Sequence, residues 1–216
     1  MKEEKIFQAM AESIIEGNKE GAVRLAREAI KQGLNLNEVI DQGYVPGIQK
    51  VGQLWEEGEY FLPELLTSAE CMKAAMSVLE PELTKSGVTR RTEGKVIIGT
   101  VQGDIHDIGK NLVASMLSAN GFEVIDLGAD VPLNKFVERA KLEKADLICL
   151  SALLTTTMVG QKRVMEIVKS ESLGGKIKVM VGGAPVTQEW AERIGADGYG
   201  ENAMEAVKVA KLLVNK

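Results

Sequence analysis

"KVIIGTVQGDIHDIGKNLV" (95–113) joins an apolar run, KVIIGTV (95–101), to a segment of helical spacing, through a loop that carries the only histidine of the chain. A short apolar run, a glycine-containing turn and then helical periodicity open a βα unit. The pattern repeats downstream in FEVIDLG (122–128), DLICLSAL (146–153), KIKVMVGG (176–183) and a weaker ADGYG (196–200). Helical segments are expected between and after them, at 109–120, 132–143, 157–170, 187–194 and 202–214. Five such units predict a Rossmann-like (flavodoxin-like) doubly wound five-stranded parallel sheet, with helices on both faces. In such sheets ligands bind at the carboxyl ends of the strands. The loops QGDIHDIG (102–109), SALLTTT (151–157), GGAPV (182–186) and YGEN (199–202) all fall at that edge, and His106 with them.

The first third of the chain has a different period. EKIFQAMAESIIEG (4–17), NKEGAVRLAREAIKQG (18–33), NLNEVIDQGYVPGIQKVGQLWEEG (35–58) and FLPELLTSAECMKAAMSVLEPEL (61–83) have helical spacing. They are punctuated by asparagine caps and terminal glycines. A kink is expected near Pro46, and Pro63 is tolerated in a first helical turn. Short joints predict a four-helix bundle. TKSGVTRRTEG (84–94) is polar and lacks apolar period. The expected organisation is therefore a helical domain at 1–84, a linker at 85–94 and an α/β domain at 95–216.

Composition narrows the function. Of 216 residues, 45% are hydrophobic and 26% charged, as in a soluble globular protein. The net charge of −5 offers no field for polyanions, and the one basic doublet, Arg90–Arg91, has no aromatic partners, so nucleic-acid binding is not expected. No run approaches the ~20 apolar residues of a membrane span. MKEEKIFQAMAESIIEG (1–17) reads as an amphipathic helix rather than a leader, and a cytoplasmic protein is expected. Cys71 and Cys149 sit in apolar settings and read as buried thiols, and Met72 and Met76 read as core.

A single histidine limits the chemistry. Metal-dependent phosphohydrolases need several histidines, and a tetrahedral zinc site would have to gather further ligands from distant apolar segments. A serine nucleophile would call for an exposed elbow, and Gly-x-Ser-x-Gly is absent. Phosphate at the helix start is disfavoured by Asp104 and Asp107. One imidazole does suffice for a metal already chelated by a macrocycle, where the protein adds one axial ligand. Such a ligand commonly donates its second ring N–H to a carboxylate, and Asp104 lies two residues away.

Asp104-Ile105-His106-Asp107-Ile108-Gly109, then Ser151-Ala-Leu153, then Gly182-Gly183, with 41 residues (110–150) and 28 residues (154–181) between them, resembles the Asp-x-His-x-x-Gly, Ser-x-Leu, Gly-Gly signature of cobalamin-binding domains. LWEEGEYFLPELLTSAECMKAAM (54–76) resembles the helical cap of methionine synthase and its smaller relatives. Over nearly its whole length the chain is similar to the corrinoid proteins of methanol, methylamine, betaine and methoxy-aromatic methyltransferase systems.

The resemblance implies a cobalamin cofactor (methylcobalamin or a related corrinoid) bound base-off/His-on. His106 is then the axial ligand to cobalt, Asp104 accepts its other N–H, and Thr157 stands where methionine synthase has serine. Gly103, Ile105, Asp107, Ile108 and Gly109 complete the ligand loop. Ser151, Leu153 and Thr155 would hold the displaced base, Gly182 and Gly183 would let the nucleotide tail approach, and Gly200, Glu201, Asn202 and Ala203 would lie near it. Trp55, Leu62 and Leu65 would shield the upper corrin face.

The implied function is a methyl carrier. Cobalt(I) accepts a methyl group from a substrate-specific methyltransferase and delivers it to a second methyltransferase acting on tetrahydrofolate or coenzyme M. A reductive activase is the third implied partner. The cap would swing aside at each transfer, with 84–94 as hinge. A cobalamin-dependent sensor that regulates a partner is the alternative, and a flavodoxin-like domain for another ligand is a third reading.

Overall fold

A computed structural model describes residues 2–86 and 92–214. Arg90, Arg91 and the middle of the expected linker and hinge lie outside the described residues. The chain divides into two compact units, one comprising Met1–Arg91 with Ala119–Gly121 and the other Thr92–Ser118 with Phe122–Lys216.

The first unit is helical: α1 (Lys2–Ile15), α2 (Lys19–Gln32), α3 (Leu36–Glu38), α4 (Val45–Glu56) and α5 (Leu62–Lys85). The caps fall where expected. Asn18 Oδ1 accepts from Gly21 N–H at 2.8 Å, and Gly33, at φ 70°, closes α2 in the left-handed conformation. The third expected helix departs from α geometry earlier than Pro46. Val39–Tyr44 forms a π-helical stretch between α3 and α4, in which Val45 N–H reaches back to Ile40 O. Pro46 has no N–H to offer the carbonyl four residues earlier and its ring would crowd that carbonyl. The wider π turn relieves both. Helix α2 packs on α5 and α1 on α4. Their apolar faces bury Met10, Ile14, Leu25, Ile48, Leu65, Met72 and Leu79. The buried Tyr44 hydroxyl is satisfied by Ala22 O at 2.7 Å. Met72, Met76 and Cys71 are all buried, as their spacing implies.

The second unit is the predicted sheet. Strands β1 (Lys95–Thr100), β2 (Glu123–Asp126), β3 (Leu147–Ser151), β4 (Lys178–Gly182) and β5 (Gly198–Gly200) pair in parallel, in the order β2-β1-β3-β4-β5. Helices α6 (Ile108–Ala119), α7 (Leu133–Glu143), α8 (Val159–Ser170), α9 (Gln188–Ile194) and α10 (Ala203–Val214) follow the strands in turn. The continuous apolar runs are explained by burial on both faces, with Val96, Ile97, Leu147, Ile148 and Val179 fully buried. Cys149 is a free, buried thiol in β3, and burial pushes its pKa up. Strand order reverses direction between β1 and β3. That is the switch point where an open sheet leaves a crevice, and the β1–α6 loop with His106 stands beside it. Among the described residues no helix is long and apolar enough to cross a membrane.

Candidate functional site

The β1–α6 loop turns at Gly103, whose φ of 86° favours glycine, and sends the Asp104 side chain inward. That carboxylate is fully buried and accepts five hydrogen bonds. Oδ1 takes His106 Nδ1 at 2.8 Å and His106 N–H at 3.1 Å. Oδ2 takes Leu153 N–H at 2.8 Å, Leu154 N–H at 3.3 Å and the Thr157 hydroxyl at 2.6 Å. Burial alone would push the Asp104 carboxyl up. The hydrogen bonds from Thr157, Leu153 and His106 outweigh it and hold the carboxyl well below the usual carboxylate range.

An ionised Asp104 sets the state of the imidazole. It can only accept, so it takes the ring's Nδ1–H, and in the neutral imidazole the lone pair is then on Nε2. The ring is 48% exposed, while Asp104 behind it is 0% exposed. The loop carbonyl is also fixed, because the buried Thr100 hydroxyl donates to His106 O at 3.0 Å. Among the described residues no three His, Cys, Asp or Glu side chains come together as a metal cluster.

Around the imidazole the surface is apolar where solvent would favour polar groups. Ile105 is 77% exposed and Ile108 87%, and Leu153 and Leu154, whose N–H groups reach Asp104, are exposed too. Gly109, in the first turn of α6, has nothing within 4 Å of the place a Cβ would occupy. Its lack of a side chain serves no packing inside the protein, and in a helix it costs roughly 0.5–1 kcal/mol relative to alanine. A lone-pair donor in an apolar surround with an open glycine fits a flat, largely apolar metal macrocycle.

The remaining candidates divide. Ser151 ends β3 and Thr155 lies in the exposed loop after it, and neither hydroxyl has a partner among the described residues. Gly183, at φ 124°, is required by the protein itself, since a Cβ there would lie 1.8 Å from Ala152 O, and one at Gly182 would lie 3.0 Å from Gly200 O. Asn202 caps α10, its Oδ1 accepting from Met204 and Glu205 N–H at 3.0 Å each. Glu201 is exposed, Gly200 half-buried and Ala203 buried. Asp107 is half-buried, and its carbonyl accepts from Asn111 N–H at 2.7 Å, beginning α6. In the helical unit Trp55 is half-buried at the end of α4, while Leu62 is exposed and Leu65 buried in the first turn of α5.

Three residues that sequence reasoning passed over support the site. Gln161 in α8 is fully buried, donates to Leu150 O and Gly182 O at 3.1 Å each, and accepts from Trp190 Nε1 at 2.9 Å. Lys110 in α6 is buried and pairs with Asp126 at the end of β2. Asp130 binds the Gly103–Asp104 segment. The signal for Lys110 was its place one turn beyond His106; nothing local marks Gln161.

Comparison with known proteins identifies the family. Residues 94–208 match a family model described as a B12 binding domain, and residues 6–80 match a second model of the same description. Trimethylamine corrinoid protein 2 of Methanosarcina acetivorans is 50% identical over 211 residues, which cover 98% of this chain and 97% of that protein. The crystal structure of the methanol:cobalamin methyltransferase complex MtaBC from Methanosarcina barkeri superposes with a TM-score of 0.86 at 34% identity, over 98% of this chain and 80% of that one. A cobalamin-binding protein from Desulfitobacterium hafniense has a TM-score of 0.77 at 32% identity, over 95% and 97% of the two chains.

Proposed function

The chain belongs to the corrinoid protein family with B12-binding domains, and from that membership we propose that it is a methyl carrier between two methyltransferases. The observation that supports this reading most directly is the buried Asp104 carboxylate at 2.8 Å from His106 Nδ1, which leaves Nε2 as a donor at an exposed apolar edge. When bound, the corrinoid supplies the chemistry, a cobalt centre that takes up a methyl group and gives it away.

The protein residues hold and tune that centre. His106 Nε2 would supply the protein's ligand to the cobalt of a corrinoid bound base-off/His-on. Asp104 holds the proton on Nδ1 and so strengthens the donor, and the Thr157 hydroxyl keeps Asp104 ionised. Ser151, Leu153, Thr155, Gly182, Gly183 and the 200–203 loop are assigned to the nucleotide tail. The upper corrin face is assigned to Trp55, Leu62 and Leu65, which would exclude water from it. The helical unit (1–84), the 85–94 linker and the α/β unit (95–216) are read as cap, hinge and cofactor domain.

A substrate-specific methyltransferase loads the carrier. A second, acting on tetrahydrofolate or coenzyme M, unloads it, and a reductive activase restores it after oxidation. A methylated amine is the first donor to test, since the relative at 50% identity is a trimethylamine corrinoid protein.

The purified chain is mixed with hydroxocobalamin under reducing conditions and its visible spectrum recorded. It should take up one corrinoid and show histidine-ligated cobalt, and His106→Ala should stay folded and lose that signature. A colourless protein, or an unchanged spectrum in the variant, overturns the reading. With corrinoid bound and reduced, an amine-specific methyltransferase should methylate it stoichiometrically.

A further inference from the structure

We propose that Asp130 is a positioning residue for His106, fastening the Gly103–Asp104 segment from the loop after β2 so that the Asp104 carboxylate meets the imidazole. Two bonds bracket that segment. Gly103 N–H donates to Asp130 Oδ1 at 2.7 Å, and Asp130 N–H donates to Asp104 O at 2.9 Å. Together they hold the backbone on both sides of the Asp104 side chain, and neither involves His106 itself.

The clip has a firm base. On either side of Asp130 the loop is tied to the end of β1, with Thr100 N–H donating to Gly128 O and Val131 N–H to Thr100 O, each at 3.0 Å. Val101 and Val131 form an isolated parallel bridge just beyond the end of β1. Asp130 adopts φ 51°, in the left-handed region that L side chains seldom enter, and aspartate is among those that tolerate it. A non-glycine residue held there, exposed to solvent and away from any core, carries a conformational cost without a packing reason. The two hydrogen bonds to the ligand loop supply one. Glycine would adopt the same backbone with less strain but would leave Gly103 N–H without its acceptor.

The inference rests on the reading of His106 as a ligand only for its purpose, because the clip is a property of the corrinoid-free chain. Since the chain has one histidine, its imidazole can be observed without assignment ambiguity. The test is a long-range ¹H–¹⁵N correlation spectrum of the full-length, corrinoid-free protein at neutral pH, in three forms. The parent should show the Nδ1–H tautomer that Asp104 imposes. Asp130→Gly keeps the backbone conformation and removes only the side chain, and should move the tautomer ratio toward Nε2–H by roughly fivefold, the size of one lost hydrogen bond. Asp130→Asn retains an acceptor oxygen and should restore the parent spectrum.

An imidazole unchanged in Asp130→Gly, or displaced equally in Asp130→Asn, overturns the assignment. Should Asp130→Gly not fold, hydrogen exchange in the parent decides: Gly103 N–H must be protected despite its exposed position, and fast exchange there overturns the clip. A protein that passes these tests yet binds no hydroxocobalamin would refute the carrier function and leave the role of Asp130 standing.

Discussion

Asp104 accepts twice from His106, through the ring Nδ1 at 2.8 Å and through the backbone N–H at 3.1 Å, so one carboxylate oxygen fixes both the ring and the loop that bears it. The other oxygen gathers Leu153, Leu154 and Thr157 from beyond β3. Asp104→Asn removes the charge from this set and places an amide where two donors need an acceptor. The cost should be about 2–4 kcal/mol at pH 7, given that hydrogen bonds to charged groups contribute more than neutral ones. The folded-state pKa of Asp104 lies below its unfolded value of about 3.9, so the stability is fully present above that pH and is lost as pH falls through the folded value. Urea titrations of the two corrinoid-free proteins should show a gap that narrows below about pH 4. A gap constant between pH 7 and pH 2 would contradict the assigned ionisation.

Two glycines of the signature should respond in opposite ways. Gly183→Ala forces a Cβ to within 1.8 Å of Ala152 O at a φ of 124°, and should cost more than about 3 kcal/mol or prevent folding. Gly109→Ala meets nothing within 4 Å and should raise stability by roughly 0.5–1 kcal/mol. If Gly109 is glycine for the sake of the cofactor, the stabilised variant should nonetheless bind hydroxocobalamin more weakly. Thermal melts paired with spectral titration measure both quantities on one sample.

The contrast between these glycines indicates how much of the site could be read from the chain. The alternation of apolar runs and helical segments placed all five strands; β1, β3 and β4 are buried and leave an unbroken apolar signature, whereas the edge strands β2 and β5 are only partly buried and leave a shorter one. Asp104 and His106 were legible as a motif and Thr157 through the family resemblance, and the fold brings the three together across 53 residues. Which glycine served the backbone and which left open space was not legible, since that depends on Ala152 crossing beside Gly183. The π-helical stretch at Val39–Tyr44 escaped because proline announces a disturbance without locating it. Asp130 and Gln161 escaped for a common reason: Gly103 lies 27 residues from Asp130, and the partners of Gln161 lie 11, 21 and 29 residues away, and a polar residue in a loop or an amphipathic helix looks solvent-facing until the tertiary contact is known.

Gln161 offers a direct measure of such a contact. Its amide uses both donor hydrogens on Leu150 O and Gly182 O and its oxygen on the Trp190 indole, tying the ends of β3 and β4 to α9. Gln161→Leu leaves the buried Leu150 O and Trp190 indole without it, while the half-buried Gly182 O keeps the Ala152 N–H at 3.2 Å. The loss should be on the order of 3 kcal/mol, dominated by unsatisfied polar groups rather than by volume. Trp190, one of two tryptophans, reports the change through its fluorescence. A variant with parent stability in denaturant would show that the amide is dispensable.

Lys110 and Asp126 should prove unequal despite forming one pair. The Lys110 side chain is 1% exposed and the Asp126 side chain 37%, so the two ends of the ion pair face different solvents. Asp126→Asn leaves the buried ammonium facing a neutral amide in place of a carboxylate and should cost about 1.5–3 kcal/mol, the range for a charged hydrogen bond. Lys110→Met instead fills the buried volume with apolar atoms and leaves a carboxylate that water can reach and that still accepts from Gly128 N–H at 2.8 Å, so its cost should stay below about 2 kcal/mol. Denaturant midpoints at pH 7 rank the two. If Lys110→Met were the more damaging, the lysine would be anchoring the first turn of α6 through its charge rather than merely being neutralised there, and the His106 loop one turn earlier should lose its Nδ1–H tautomer in the same variant.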